Sequence, residues 1–271
     1  MKVTIVGAGN LGVALARSLL AGGVVAAAGL SIRRRSNSDA IDELAELGCA
    51  VHGPRSVGDP VDESEVVIFA VKPQSAQEVC QAWADGINPQ ALVISVMAGV
   101  AVSRLKNWLG GNIAVARAMP NLGAHVQQSA TAFFCGEELP LPFVHITRQI
   151  VESFGVAFQV HSEELIDAAT AVAGSGPAYF YWCAEQMVKA GVEFGFSEAE
   201  SQGLVAQTFR GAANYLSVSG EKPSTLREKI TSKGGTTSAA LTVLSDAGVA
   251  DIFVTAVRAA FRRAQELSKE Q

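Results

Sequence analysis

Residues 3–12 read V-T-I-V-G-A-G-N-L-G. Four β-type residues run into Gly7, and glycine recurs at positions 9 and 12. From Asn10 the spacing turns helical, with Leu11, Ala14, Leu15 and Leu19 on one face of a helix expected over 10–20. A G-x-G-x-x-G turn between a strand and an amphipathic helix suits a dinucleotide. The first glycine permits the tight turn, the second lets backbone approach a pyrophosphate, and the third lets helix close on strand. Free N–H groups and the positive end of the helix then face the phosphates. Gly7, Ala8, Gly9, Asn10, Leu11 and Gly12 are therefore the expected cofactor-binding turn.

The region beyond this turn bears on which dinucleotide it takes. NAD sites usually carry an acidic residue about 20 positions past the glycines, on the ribose 2′-hydroxyl. Residues 30–38 read L-S-I-R-R-R-S-N-S, and no carboxylate appears before Asp39. Arg33, Arg34 and Arg35 with Ser36 offer guanidinium and hydroxyl donors suited to a 2′-phosphate. NADPH is expected as cofactor, with NADH a weaker substitute.

Strand-like and helical stretches alternate onward from there. Strands are expected at 29–32, 66–71, 92–96, 113–118, 130–134 and 156–160, with helices at 39–47, 74–83, 102–109 and 143–154 between them. This order implies an α/β, doubly wound, mostly parallel sheet with helices on both faces. Ligands of such sheets bind at the carboxyl ends of strands. Ala70, Val71 and Pro73 of A-V-K-P, and Ala98 and Gly99 after the next strand, are thus candidate cleft residues. Lys72 reads either as a phosphate contact or as a solvated lysine. Met119-Pro120-Asn121 reads either as a border of the nicotinamide or as a plain exit from a strand.

After Val160 the pattern is helical throughout, so a boundary is expected between a dinucleotide-binding domain, 1–161, and an all-helical domain, 162–271. Gly174-Ser175-Gly176-Pro177 interrupts the long helix at 163–194, where a proline removes one hydrogen bond and crowds the preceding turn. The helical part is rich in alanine and glycine and apolar enough to suggest a partner subunit. Near its end, residues 231–237 read T-S-K-G-G-T-T. Gly234 and Gly235 free the backbone, and Thr236 or Thr237 is expected to cap the following helix. Successive N–H groups at that start can hold a carboxylate, with hydroxyls from Ser232, Thr236 and Thr237 alongside. No acid or histidine stands among them. Neutral donors around an acid suit reduction of a C=N bond, whose basic nitrogen arrives already protonated and needs mainly orientation.

The bulk composition narrows the alternatives. The 271 residues are 49% hydrophobic and 17% charged, with net charge −5, which argues against an extended nucleic-acid or anionic-membrane surface. Cys49, Cys80, Cys135 and Cys183 lie far apart, as buried thiols of a reducing cytoplasm rather than a disulfide frame, and no metal site is expected. The longest apolar run, 19–32, is too short to span a bilayer and ends in three arginines. Neither a cleaved leader nor a membrane anchor is expected.

Taken with G-A-G-N-L-G at 7–12, A-V-K-P at 70–73 and M-P-N at 119–121, the stretches G-S-G-P-A-Y at 174–179 and T-S-K-G-G-T-T at 231–237 carry a resemblance running nearly end to end. The chain resembles the pyrroline-5-carboxylate reductases. That resemblance implies a Rossmann domain followed by an all-α dimerisation domain, and NADPH-dependent reduction of (S)-1-pyrroline-5-carboxylate to L-proline by a cytoplasmic homodimer or dimer-built oligomer. It implies that Ser36 and the arginines hold the 2′-phosphate. Ala70, Val71, Lys72, Pro73, Met97, Ala98, Gly99 and Asn121 line the cofactor. Gly234, Gly235, Thr236 and Thr237 bind substrate, and Thr237 and Ser232 are the catalytic hydroxyls. Leu122-Gly123 departs from the Thr-Pro common after M-P-N in this family, and Lys233 stands where proline is common.

Overall fold

The computed structural model describes residues 1–36, 38–55 and 63–270. They form two compact units, one of Met1–Pro177 with Ala259–Gln271, the other of Ala178–Arg258. In the first unit eight strands make one sheet: β1 (Val3–Val6), β2 (Leu30–Arg33), β3 (Ala50–His52), β4 (Val66–Phe69), β5 (Leu92–Ser95), β6 (Ala114–Met119), β7 (Ser129–Cys135) and β8 (Gly155–Val160). The order is β3-β2-β1-β4-β5-β6-β7-β8, all parallel except the antiparallel β6–β7 pair. The mostly parallel, doubly wound sheet expected from the alternation is therefore present. β3 was not expected; at three residues with only Val51 half-buried, A-V-H carries too little apolar pattern to announce a strand.

Strand periodicity divides the core into two layers. Val3 and Ile5, Val66 and Ile68, and Leu92 and Ile94 point to one face with α1 (Asn10–Ala21), α2 (Asp39–Glu46) and α5 (Leu141–Glu152). Val6, Val67, Phe69 and Val93 point to the other, against α3 (Ala76–Trp83) and α4 (Val102–Leu109). A side-chain period of two forces this division, so continuously apolar strands such as V-V-I-F are buried on both sides. Cys49 and Cys80 are buried in it, whereas Cys135 and Cys183 are only half-buried, fewer than the four expected. Burial pushes the Cys80 thiol up to about 12.

Among the described residues beyond β8 no strand occurs. The helices are α6 (Glu164–Ala169), α7 (Gly176–Glu193), α8 (Glu198–Ser219), α9 (Pro223–Lys229), α10 (Thr236–Asp246) and α11 (Val249–Glu270). Ser197 and Glu200 form a reciprocal capping box on α8. Between α6 and α7 the chain makes a π turn, Thr170–Gly174, in which Ser175 N donates to the Thr170 carbonyl at 2.8 Å. Pro177 sits in the first turn of α7, so the steric clash expected of an interior proline is absorbed by the wider turn before it. No single helix among the described residues is long and apolar enough to cross a membrane.

One buried cation ties the first unit together. Arg117 on β6 is 2% exposed and bonds Glu163 at 2.8 Å and Asp167 at 3.4 Å. Glu163 also accepts from Val102 N at the start of α4, and Asp167 accepts from Ser268 at the end of α11. Replacing Arg117 by alanine leaves Asp167 buried without its counter-charge, and is expected to cost about 3–5 kcal/mol of stability, read by urea unfolding. A midpoint within experimental error of the native one would refute that role.

Candidate active site

The sheet order reverses beside β1, with β2 on one side and β4 on the other. That switch point opens a crevice at the carboxyl ends of the strands, and the glycine turn lies there. Gly7 has φ +110°, and a Cβ on it would stand 2.7 Å from the Ala70 carbonyl carbon. Its N–H donates to the Arg33 carbonyl at 3.0 Å, while Ala70 N donates to the Val6 carbonyl at 2.8 Å. The turn is thus pinned to the ends of β2 and β4 at once. A Cβ on Gly12 would overlap the Gly7 carbonyl oxygen. Gly9 behaves differently: its conformation is ordinary (φ −75°, ψ −175°), and a Cβ there would meet nothing within 4 Å.

Gly9 is the N-cap of α1, with no side-chain cap and no acidic residue in the first turn. The opening amides therefore point into open space bounded by backbone, which suits a pyrophosphate. Arg33 and Arg34 are half-buried at the end of β2, Ser36 is exposed, and the Nε atoms of both arginines are buried with no hydrogen-bond partner. Val71 and Pro73 are half-buried and Lys72 is exposed, its carbonyl accepting from Ser75 N. Met97 is buried, Ala98 half-buried, and Gly99 takes φ +70°. A Cβ on Gly99 would lie 2.7 Å from Leu267 Cβ, so the last turns of α11 back this loop directly.

Asn121 is committed within the chain. Its Oδ1 accepts from Gly123 N at 2.9 Å, and its Nδ2 donates to the Ala173 carbonyl at 3.0 Å. Ala173 is four residues before Pro177, which has no N–H to give it. The asparagine supplies the hydrogen bond that the proline removes. Sequence spacing alone did not reveal this pairing; a lone Pro177 in a helix pattern was the available signal.

In the second unit, α10 begins as α1 does. Its N-cap is Gly235 (φ −82°, ψ 174°), again with no side-chain cap and no acidic residue in the first turn. The expectation that Thr236 or Thr237 caps this helix is corrected: both lie inside its first turn, and Gly235 caps it by conformation. Gly234 at φ +70° makes the preceding turn, closed by Gly235 N donating to the Ser232 carbonyl at 3.1 Å. Thr237 is half-buried, while Ser232, Gly234 and Thr236 are exposed. The first α10 backbone bond runs from Ala239 to Gly235, so the amides of residues 236–238 have no carbonyl one turn back.

These contrasts separate two glycines by experiment. Gly9→Ala leaves the fold intact, with an unchanged melting temperature, yet fills the cradle and raises Kd for the dinucleotide at least about tenfold, roughly 1.4 kcal/mol. Gly7→Ala instead lowers the melting temperature, because the methyl collides with backbone. Unchanged affinity in Gly9→Ala, measured by fluorescence titration, would contradict the cradle.

Residues 163–267 match the family described as pyrroline-5-carboxylate reductase dimerisation, and residues 2–99 match the family described as NADP oxidoreductase coenzyme F420-dependent. The pyrroline-5-carboxylate reductase of Pseudomonas aeruginosa is 33% identical over 99% of this chain and 97% of its own. Among solved structures, the pyrroline-5-carboxylate reductase of Coxiella burnetii superposes with TM-score 0.85 at 30% identity, covering 98% of each chain. The Plasmodium falciparum pyrroline carboxylate reductase, solved with NADP bound, shares the fold at TM-score 0.88 and 24% identity, covering 99% of this chain and 98% of its own. The chain belongs to the pyrroline-5-carboxylate reductase family.

Proposed function

We propose that this chain reduces (S)-1-pyrroline-5-carboxylate to L-proline with NADPH, the last step in making proline. The observation that carries the reading is the pair of matching helix starts, at Gly9 and at Gly235. Each is a glycine N-cap with bare amides and no acid nearby, and so each is suited to an anion. The first is read as the pyrophosphate seat and the second as the seat of the substrate carboxylate.

The amides of Thr236 and Thr237 hold the carboxylate, and Gly234 gives the turn its left-handed step. Thr237 bonds the ring nitrogen, with Ser232 as the second hydroxyl. Bound NADPH supplies a hydride from nicotinamide C4 to ring C5. The π pair of the C=N bond becomes the lone pair of the ring nitrogen, whose proton arrives with the iminium. That amine then takes a second proton from solvent to give zwitterionic proline, so the imine carboxylate consumes one NADPH and two protons per proline. No side chain in this group needs to change charge, and none of Ser232, Thr236 and Thr237 is acidic or basic. Ala70 to Pro73 and Met97 to Gly99 border the cofactor, and Ser36 with Arg33 and Arg34 receives its 2′-phosphate. Asn121 borders the cofactor as well; its two internal bonds hold the neighbouring backbone and leave one N–H and one lone pair of the amide for a ligand.

The helical part, proposed to begin at residue 162, assembles the protein as a homodimer or dimer-built oligomer. Trp182, Val218 and Ile252 are exposed on its helices in the single chain, and Phe194 in the turn after α7, which suits a face that a second copy covers. The proposed compartment is the cytoplasm, and neither nucleic acid nor membrane is needed as a partner.

The direct test is loss of reduced-nicotinamide absorbance when pyrroline-5-carboxylate is added; no loss under any cofactor condition would end the proposal. Thr237→Ala is expected to lower kcat by about 10- to 100-fold, as one hydrogen bond to a charged group contributes about 1.5–3 kcal/mol. A native kcat would remove Thr237 from the mechanism.

A further inference from the structure

Trp83, the last residue of α3, is 1% exposed and belongs to the core, where Phe69 meets its ring edge-on at 5.9 Å. Core packing accounts for a large apolar residue here. It does not account for the two cations gathered on the ring. The guanidinium carbon of Arg33 stands 5.8 Å from the ring centroid and that of Arg55 stands 5.5 Å from it. The side chain of Arg55 is wholly buried, with the Asp85 carboxylate 3.9 Å away. A Cβ on Gly86 would overlap the Arg55 guanidinium. W-A-D-G at 83–86 thus provides a ring for both arginines, and an acid and a clearance for Arg55.

We propose that Trp83 is a positioning residue for cofactor selection: its ring holds the Arg33 guanidinium in place for the 2′-phosphate of NADPH. The inference rests on the reading that Arg33 receives that phosphate. A free arginine side chain loses much rotamer freedom when it grips a ligand, and an aromatic face that fixes it beforehand lowers that cost. A guanidinium stacked on a ring still presents its N–H groups at the edge, in the fork that suits phosphate. The Arg33 backbone carbonyl also accepts from the Gly7 N–H, so the same residue aligns the pyrophosphate turn with its side chain. Arg55 and Asp85 pack the ring and its surroundings from the next strand exit and from the end of α3.

The test is the ratio of KM for NADPH to KM for NADH, measured at saturating imine. Trp83→Leu keeps an apolar residue in the core but removes the ring face, and is expected to raise the ratio about three- to tenfold. Trp83→Phe, which keeps a weaker face, should raise it by about twofold, and serves as the readout if the leucine variant does not fold. In an Arg33→Ala background, Trp83→Leu should leave the ratio where Arg33→Ala has put it. General loss of packing would move both KM values together and leave the ratio fixed, which overturns the proposal. So does an equal change in the native and Arg33→Ala backgrounds. If Arg33→Ala itself leaves the preference for NADPH intact, the assignment of the 2′-phosphate to Arg33 fails, and the role of Trp83 with it. If Arg33→Ala lowers the preference while neither Trp83 variant does, only the role of Trp83 fails.

Discussion

Backbone pressed against backbone governs the first unit. At Gly7 the chain turns so close to the end of β4 that no side chain fits, while its N–H is spent on the end of β2. Three strand ends are thereby fixed relative to each other without any side chain taking part. Everything placed at the switch point inherits that precision. The amides of α1 point where they do because Gly12 lets the helix settle on the turn, and Arg33 stands where it does because its carbonyl is held. A phosphate recognised by amides needs such rigidity, since main-chain donors cannot adjust by rotating as side chains do.

The starts of α1 and α10 share one local design. Both use a glycine in extended conformation as the cap, where serine or aspartate would ordinarily sit. A capping side chain would occupy the amides and, if acidic, repel the ligand. Leaving the cap bare costs some helix stability in exchange for an open site. The neighbouring hydroxyls at Thr236 and Thr237 can then serve a bound molecule instead of their own helix.

Much of this could be read from the residues, and what could not has physical causes. V-T-I-V-G-A-G-N-L-G carries its strand, turn and helix locally, and V-V-I-F announces a strand buried on both faces. Arginines at 33–35 without a nearby acid pointed to the phosphorylated cofactor. Long-range pairings stayed hidden. That Asn121 replaces the hydrogen bond missing at Pro177 depends on two segments 52 residues apart, and nothing in either predicts the other. The wide turn at Thr170–Gly174 was seen only as an interruption, because a proline in a helical pattern does not specify how the backbone makes room. β3 was missed because three residues hold no period. The cap of α10 went to a glycine rather than a threonine, since the helix begins one residue earlier than the hydroxyls suggest and Gly235 takes the extended cap conformation.

The end of α11 belongs to the first unit, where Leu267 backs Gly99, Ser268 reaches Asp167 and Arg104 bonds the Lys269 carbonyl. During synthesis the sheet emerges some hundred residues ahead of the segment from Ala259 onward, yet its last wall exists only once that segment has been made. Emergence of β8 alone therefore cannot bring that half of the protein to its finished state.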